Sequence, residues 1–374
     1  MRMNNKKKNS FEVEELGKFT EKEIYEIPEA LRRLIQNKDH IEKIAQKVIN
    51  NNTRHIYLIG AGTSYHAGFA ISYMFNRITH IPTFCEFSME FQYLIEPILD
   101  KNDCVIGISQ SGRTKDTIES VKLAKQSRGC LTIAVTNDSE SELAEACDYD
   151  IFLNCGEEKS VLATKTYINQ LAGLSILALE TAISKGEITE NYYRMIWEEL
   201  KLIPSKIENS LPDLHKKIKD YSNYFKFAEF CFILGGGSDY ATAMEASLKL
   251  KEGARIFGQA YSTAEFPHGP ITLADSSAWI LAIIPKEEDQ RKKNLINLLK
   301  RIKERKATIL GIYEIEDEKD IPDPIDFGIQ VPNTIHDLQP IIMILAVQLL
   351  TLEIARIKNI NSDTPKFLTK VSGI

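Results

Sequence analysis

The stretch HIYLIGAGTSYHAGFAISYMF, residues 55–75, has the pattern of a buried strand, a glycine-rich turn and a helix. Further apolar stretches with the composition of strands follow it, with helical periodicity between several of them: PTFCEF, DCVIGIS, CLTIAVTN and YDIFLN. Such alternation predicts a parallel sheet that is covered by helices on both faces. The sequence therefore predicts an α/β fold.

The same pattern occurs a second time in the chain. The stretch FCFILGGGSDYATAMEASLKL, residues 230–250, places Gly235 and Gly237 at an offset of 175 residues from Gly60 and Gly62, and later strands match in the same order. Two copies of one unit account for this match. We predict two tandem flavodoxin-like domains of parallel strands flanked by helices, at residues 51–220 and 221–374, after a disordered tail and an entry helix at 1–50.

The entry helix has a sequence signal for its start. Thr20 and Glu23 lie three residues apart at the head of the helical stretch FTEKEIYEIPEALRRLI, residues 19–35. This spacing is typical of a capping box, in which the threonine caps the helix. We therefore expect Thr20 to be the N-cap.

Composition excludes several classes of protein. The 374 residues are 43% hydrophobic and carry a net charge of −6, which gives no basic surface for nucleic acid. We expect no membrane association, because no apolar run approaches the roughly 18 residues of a membrane span and the N-terminus lacks the apolar stretch of a signal peptide. A cytoplasmic location follows as an expectation. The six cysteines are scattered without metal-ligand spacing, so we interpret them as reduced core residues and predict no metal site.

Polar side chains cluster after two strands of the first copy. In an open parallel sheet, ligands bind beyond the carboxyl ends of the strands, where helix N-termini offer free N–H groups. Five hydroxyls and one amide follow these strands: Thr63, Ser64, Ser109, Gln110, Ser111 and Thr114. Together with the close approach that Gly112 permits, this composition indicates a phosphate site without a metal.

A capping role and a nucleotide site both fit these turns less well than a phosphate site does. Isolated serines and threonines are most often ordinary helix caps, although five from two adjacent turns favour a ligand. A dinucleotide fingerprint would need a third glycine at Tyr65, which is absent. The sequence also lacks the lysine-containing phosphate-binding loop (P-loop) of nucleoside triphosphatases.

Several motifs make the sequence similar to the sugar isomerase (SIS) family. The motifs are GAGTSYHAG, SQSGRTKDT, LKLKEGARIFGQAYSTAEFPHGP and the terminal SDTPKFLTKV, in family order. Within the family, the chain resembles the isomerase half of glutamine:fructose-6-phosphate aminotransferase over nearly its whole length. This resemblance implies two SIS domains, a sugar-phosphate substrate, no cofactor and a homodimer that completes each active site.

The resemblance also implies a role for each matching residue. The six residues of the two turns would bind the sugar and its 6-phosphate. Glu252 would move a proton between C1 and C2, with Lys249 beside it, and Lys370 would meet the open-chain carbonyl. His268 would assist ring opening from the neighbouring subunit. Taken alone, each of these has a plainer explanation, since a lysine and glutamate three apart are often a solvated helical pair.

Elementary chemistry agrees with these roles. A carboxylate next to the substrate can remove a proton beside a carbonyl. Lys249 and Glu252 share a helix face, so the lysine can keep the glutamate ionised. A neutral lysine amine can form an imine with the sugar carbonyl.

One departure from the aminotransferase pattern decides the predicted activity. No cysteine occurs before Cys85, so the cysteine nucleophile of a glutaminase domain is absent from this sequence, and the loop EEKSVLATKTY resembles glutaminase-free relatives. We therefore predict a glucosamine-6-phosphate deaminase of SIS type. The alternatives are glucosamine-6-phosphate synthesis from free ammonia or with a separate glutaminase subunit, a fructosamine-6-phosphate deglycase, and a sugar-phosphate sensor without enzymatic activity.

Overall fold

The structure is a computed structural model that describes residues 15–286, 290–314 and 324–370. The predicted disordered tail lies outside the described residues. The described chain opens with three helices, α1 (Lys18–Tyr25), α2 (Ile27–Ile35) and α3 (Lys38–Asn50). Their buried faces carry the apolar residues that recur at helical spacing, such as Ile27, Leu31 and Leu34 of α2.

The predicted capping box at Thr20 is wrong. Helix α1 begins earlier, after Gly17, which has a left-handed φ of 71°. Asp363, near the C-terminus, accepts hydrogen bonds from the backbone N–H groups of Phe19 at 3.0 Å and Thr20 at 2.7 Å. The helix start is therefore capped by a distant carboxylate, and the spacing of Thr20 and Glu23 gave no sign of it.

The first sheet has five parallel strands in the order β2-β1-β3-β4-β5. The strands are β1 (Ile56–Gly60), β2 (Thr83–Phe87), β3 (Cys104–Ile108), β4 (Leu131–Thr136) and β5 (Tyr149–Phe152). The helices between them are α4 (Thr63–Thr79), α5 (Phe91–Leu94), α6 (Lys115–Arg128) and α7 (Glu142–Ala146). Strands β1 and β3 are buried throughout, as their unbroken apolar sequences require in a sheet covered on both faces.

Two long helices follow, α8 (Lys165–Lys185) and α9 (Glu190–Ser222), and lead to a second parallel sheet. Its order is β10-β9-β8-β6-β7, with strands β6 (Phe230–Gly235), β7 (Phe257–Ser262), β8 (Trp279–Ile283), β9 (Thr308–Glu314) and β10 (Phe327–Val331). Helices α10 (Ser238–Ala254), α11 (Gln290–Lys303) and α12 (Gln339–Ile357) belong to this half.

The two sheets have the same topology. Numbered within each half, both have the order 2-1-3-4-5, which is the flavodoxin-like arrangement. Helices α4 and α10 follow the first strand of their halves, contain 17 residues each and pack against each other. The predicted α/β fold of two parallel, helix-flanked units is confirmed.

One helix corrects the expectation that no segment is long and apolar enough to span a membrane. Residues His336–Ile357 form 22 helical residues that pass that test by length and composition. Their most apolar window is entirely buried inside the protein, where it packs against α9 and α10. The low polarity of α12 is thus explained by its place in the core.

Candidate active site

The turn after β1 brings Thr63 and Ser64 to the edge of the first sheet. Gly60 must be glycine here, since a Cβ would lie 2.9 Å from the backbone of Ser64. Gly62 precedes α4 with a positive φ of 53°, so that the helix starts at Thr63. The Ser64 hydroxyl accepts a hydrogen bond from the amide of Gln170 at 2.9 Å, which fixes the turn against α8.

The turn after β3 places its hydroxyls around the start of α6. Ser109 and Thr114 lie with their hydroxyl oxygens 2.9 Å apart, and the Ser111 hydroxyl accepts from the backbone of Arg113 at 3.2 Å. Gly112 has a φ of 62°, and a Cβ there would lie 2.0 Å from the Ser141 hydroxyl, so the turn closes only around glycine. Thr114 stands at the N-cap of the 14-residue helix without capping it through its side chain. The first turn of this helix is thus available to an anion.

Both turns face one cavity of about 210 Å³. Nine of the ten residues predicted for the site line it: Thr63, Ser64, Ser109, Gln110, Ser111, Thr114, Lys249, Glu252 and Lys370. They come from both halves of the chain and from the C-terminal segment. The structure therefore brings together groups that are up to about 300 positions apart in sequence.

Lys249 and Glu252 form an ion pair at the wall of the cavity. The Lys249 ammonium lies 2.6 Å from Glu252 and 3.4 Å from Glu245, and its side chain is only 2% exposed. Burial lowers the pKa of Lys249, but the two carboxylates outweigh it and raise that pKa above its ordinary value. Lys249 is therefore a charged ammonium at neutral pH. The predicted adjacency of these two residues on one helix face is correct.

Glu245 is a member of the site that the sequence prediction missed. Its carboxylate is fully buried and accepts hydrogen bonds from Thr63 at 3.0 Å and His66 at 2.7 Å. Burial raises its pKa, but Lys249, His66 and Thr63 together bring the pKa below the ordinary value. Glu245 thus ties the first turn to Lys249. Its position four residues before Lys249 on α10 was the signal that could have revealed it.

Lys370 is held by a second missed carboxylate. Its ammonium lies 2.9 Å from Glu158 and also donates to the carbonyl oxygen of Ser160. The Glu158 side chain is fully buried and accepts further hydrogen bonds from Thr164 and Thr166. Burial raises the pKa of Glu158, but Lys370 and these donors bring it below the ordinary value. The C-terminal lysine is thus anchored beside the cavity by a salt bridge.

His268 does not join the other predicted residues. It is exposed, and it ends a short helical turn, Phe266–His268, that is anchored by the buried ring of Phe266. The turn does not line the cavity that holds Glu252. His268 therefore lies outside the cavity of its own chain in this structure.

Comparison with known proteins gives two matches to one family model. The SIS domain model matches residues 50–180 and 228–357, which together contain both sheets. Among curated relatives, the glutamine–fructose-6-phosphate aminotransferase (isomerizing) of Bacteroides thetaiotaomicron is 34% identical over 360 residues. The aligned region covers 94% of this chain and 58% of that relative. The chain therefore spans less than two thirds of the length of these curated relatives.

Solved structures agree at the level of the fold. The C-terminal domain of glucosamine-fructose-6-phosphate aminotransferase from Francisella tularensis superposes with a TM-score of 0.86 at 28% identity, covering 93% of this chain and 98% of that one. A glucosamine-6-phosphate deaminase from Thermotoga maritima superposes with a TM-score of 0.73 at 24% identity, covering 94% and 99%. With two matched SIS domains and this fold, the chain belongs to the SIS family.

Proposed function

We propose that the chain is a SIS-type glucosamine-6-phosphate deaminase, which converts glucosamine 6-phosphate and water into fructose 6-phosphate and ammonia. The observation that carries this proposal is the shared cavity. It combines a hydroxyl-lined helix N-terminus, a glutamate paired with a buried lysine, and a second lysine from the C-terminal segment. These are the groups needed to hold a phosphate, move a proton and meet a carbonyl.

The phosphate would lie at the turn after β3. Ser109, Ser111 and Thr114 offer hydroxyl donors there, and the backbone N–H groups at the start of α6 have no side-chain cap. Hydrogen bonds to a charged acceptor are stronger than those between neutral groups. The opposite end of the sugar would then point towards Glu252 across the cavity.

Glu252 would act as the base. In open-chain glucosamine 6-phosphate, the carboxylate removes the proton from C2, and the electron pair moves towards the C1 carbonyl. The C1 oxygen takes up a proton and becomes a hydroxyl, and return of the abstracted proton to C1 then gives a protonated imine at C2. Water then adds to this imine, and ammonia leaves, so that fructose 6-phosphate remains. The ammonium of Lys249, 2.6 Å from this carboxylate, would hold it in place for the proton transfer.

Lys370 would offer a second route at C2, in place of direct attack by water. Its ammonium passes a proton to the Glu158 carboxylate 2.9 Å away, the amine adds to the imine carbon and ammonia leaves, and water then frees the ketose and restores the lysine amine. Its salt bridge with Glu158 places the amine beside the cavity before substrate arrives. Glu158 is thus proposed as a positioning residue.

The reverse reaction is the second candidate. Amination of fructose 6-phosphate uses the same groups in reverse order, with ammonia supplied freely or by a separate glutaminase subunit. The aminotransferase names of the curated relatives favour this direction.

We further propose that the chain works as a homodimer. The exposed position of His268, outside the cavity of its own chain, supports the idea that it reaches the cavity of a second copy. A histidine there could move the proton that opens the sugar ring.

The deciding experiment measures ammonia release from glucosamine 6-phosphate by the purified chain. The reverse reaction is measured with fructose 6-phosphate and ammonium, and glutamine serves as a control nitrogen donor. We expect ammonia release, and reverse synthesis with ammonium only. If glutamine with an added glutaminase supports synthesis while no ammonia is released in the forward direction, the second candidate is correct.

A further inference from the structure

A second cavity lies away from the proposed active site. It has a volume of about 580 Å³ and lies between α4, the starts of α10 and α11, and the residues just before α12. This volume is within the range of small-molecule sites. None of the predicted site residues lines it.

This second cavity occupies the place of the first one in the internal repeat. Helices α4 and α10 correspond along their whole lengths, so each residue of one has a counterpart in the other. The active-site cavity is lined by Thr63 and Ser64 at the start of α4 and by three residues of α10: Leu248, Lys249 and Glu252. The second cavity is lined by the counterparts of all of these except Ser64: Ser238, Tyr73, Met74 and Arg77. The duplication thus produced two cavities.

The second cavity has lost the groups for proton transfer. Arg77 stands where the first cavity has Glu252, and Met74 stands where it has Lys249. An arginine is protonated at any ordinary pH and cannot serve as the base. A sugar phosphate in this cavity would be bound without isomerisation at that position.

The start of α10 keeps the features of an anion site. Gly237 precedes the 17-residue helix with a φ of 64°, and no side chain caps the helix there. Ser238 is 6% exposed and lines the cavity, and its hydroxyl has no hydrogen-bond partner among the described residues. A buried hydroxyl of this kind is normally paired, so it indicates a group that completes it.

Arg291 adds a cation at the same place. A Cβ on Gly237 would lie 2.7 Å from a guanidinium nitrogen of Arg291, so the guanidinium lies against the backbone at the helix start. Guanidinium groups bind phosphate through paired hydrogen bonds. The combination of helix N-terminus, free hydroxyl and guanidinium fits a phosphate monoester.

Two carboxylates limit the positive charge of this cavity. Asp337 pairs with Arg77 and accepts a hydrogen bond from Tyr192 at 2.9 Å, so this pair contributes little net charge. Asp239 follows Ser238 and is fully buried. Anion binding here therefore depends on directed hydrogen bonds more than on excess charge. We expect weaker binding than at the proposed active site.

Aromatic rings line the remaining wall. Phe69 and Tyr73 meet edge to face with their centroids 5.6 Å apart, and both line the cavity. Asn76 lies at the same wall, where its side-chain amide is bonded to the backbone of Ser72 and Thr83. The aromatic surface suits the C–H face of a sugar.

We propose that the second cavity binds a small sugar phosphate and holds it without turning it over. The choice of a sugar phosphate as the ligand rests on the proposed function of the first cavity. The cavity and its unpaired hydroxyl belong to the structure whatever reaction the first cavity performs.

The test is calorimetric titration of the full chain with fructose 6-phosphate in the absence of ammonium. We expect two binding events per chain. The double variant Ser238→Ala with Arg291→Ala should lose one event, with at least tenfold weaker binding, and should release ammonia from glucosamine 6-phosphate at the wild-type rate. Arg194→Ala, which removes an exposed arginine of α9, is the matched control.

Two results would overturn this inference. One is a single binding event per chain in the wild type. The other is two events that both survive the double variant while its activity shows that it is folded. Two binding events without any ammonia release would contradict the proposed function and leave the second site intact. Titration with inorganic phosphate separates recognition of the phosphate alone from recognition of the sugar.

Discussion

At the level of single residues, Glu252 and Lys249 differ in how far they reach solvent. The Lys249 side chain is 2% exposed, whereas that of Glu252 is 18% exposed. The ammonium is therefore shielded behind the carboxylate, and the carboxylate opens to the cavity. This arrangement is the one that a base acting on a bound molecule requires.

Replacing Glu252 by glutamine tests this assignment. The side chain keeps its shape but cannot accept a proton, so we expect turnover to fall by about 10²–10⁴-fold while sugar-phosphate binding persists. Initial rates of ammonia release and calorimetric titration measure the two effects. Glu119→Gln, at an exposed position on α6, is the control. Wild-type rates in Glu252→Gln would show that Glu252 is not the base.

Glu23 makes folding stability depend on pH. Burial, with the charge of Glu158, raises the pKa of Glu23 to about 7, while backbone N–H groups of Lys159 and Ser160 oppose the rise. The folded state therefore keeps this proton where the unfolded state, with a pKa of about 4.3, has lost it. The contribution of Glu23 to the free energy of unfolding then falls as pH rises from about 4.3 to about 7.

The variant Glu23→Gln should lack this pH dependence, because glutamine resembles the protonated form. Urea unfolding of both proteins at several pH values gives the difference in free energy of unfolding. We expect the wild type to lose stability relative to the variant as pH rises through this window. A difference that stays constant with pH would show that Glu23 does not titrate there.

At the level of elements, the turn after β3 is set by contiguous sequence. Its glycine, its hydroxyls and the helix that follows are within ten residues, and the sequence predicted all of them. Glu158 was missed because its partner Lys370 is 212 residues away. For Glu245, the spacing to Lys249 was a local signal, but its contact with Thr63, 182 residues away, was not. Local patterns predict turns and helices, whereas such pairs depend on how the elements assemble.

Removing two hydroxyls of that turn should weaken phosphate binding. For Ser111→Ala combined with Thr114→Ala, each lost hydrogen bond to the phosphate costs about 1.5–3 kcal/mol, so KM for glucosamine 6-phosphate should rise about a hundredfold or more. Thermal unfolding checks that the variant remains folded. Ser127→Ala, at an exposed position near the end of the same helix, should leave KM unchanged. An unchanged KM in the double variant would place the phosphate elsewhere.

At the level of the whole molecule, the internal sequence repeat predicted the fold but did not predict how the candidate site is assembled. Matching glycines and strands predicted two equal sheets, and both are present with the same order. The repeat did not indicate that each cavity takes its turn from one half and its helix face from the other, because this arrangement arises from the packing of α4 on α10. The division into domains at residues 50 and 220 stays a prediction.

Mixing two inactive variants tests the proposed dimer. A dimer of one Glu252→Gln chain and one His268→Ala chain would contain one cavity with both residues intact, if His268 acts across the interface. After exchange of subunits, about a quarter of the wild-type activity should return. Mixing in which exchange is verified by mass but no activity returns would show that His268 serves its own chain. Wild-type activity of His268→Ala alone would show that His268 has no role.

The capping of α1 by Asp363 has a consequence for the order of events during synthesis. Thr20 and Asp363 are 343 residues apart, so α1 receives this cap only after residue 363 has left the ribosome. Domains generally fold in the order in which the ribosome releases them. The first sheet can form early, but Lys370 reaches its salt bridge with Glu158 only after residue 370 has emerged. A chain released only as far as the second sheet would therefore have a folded turn after β3 and a cavity that still lacks its C-terminal wall.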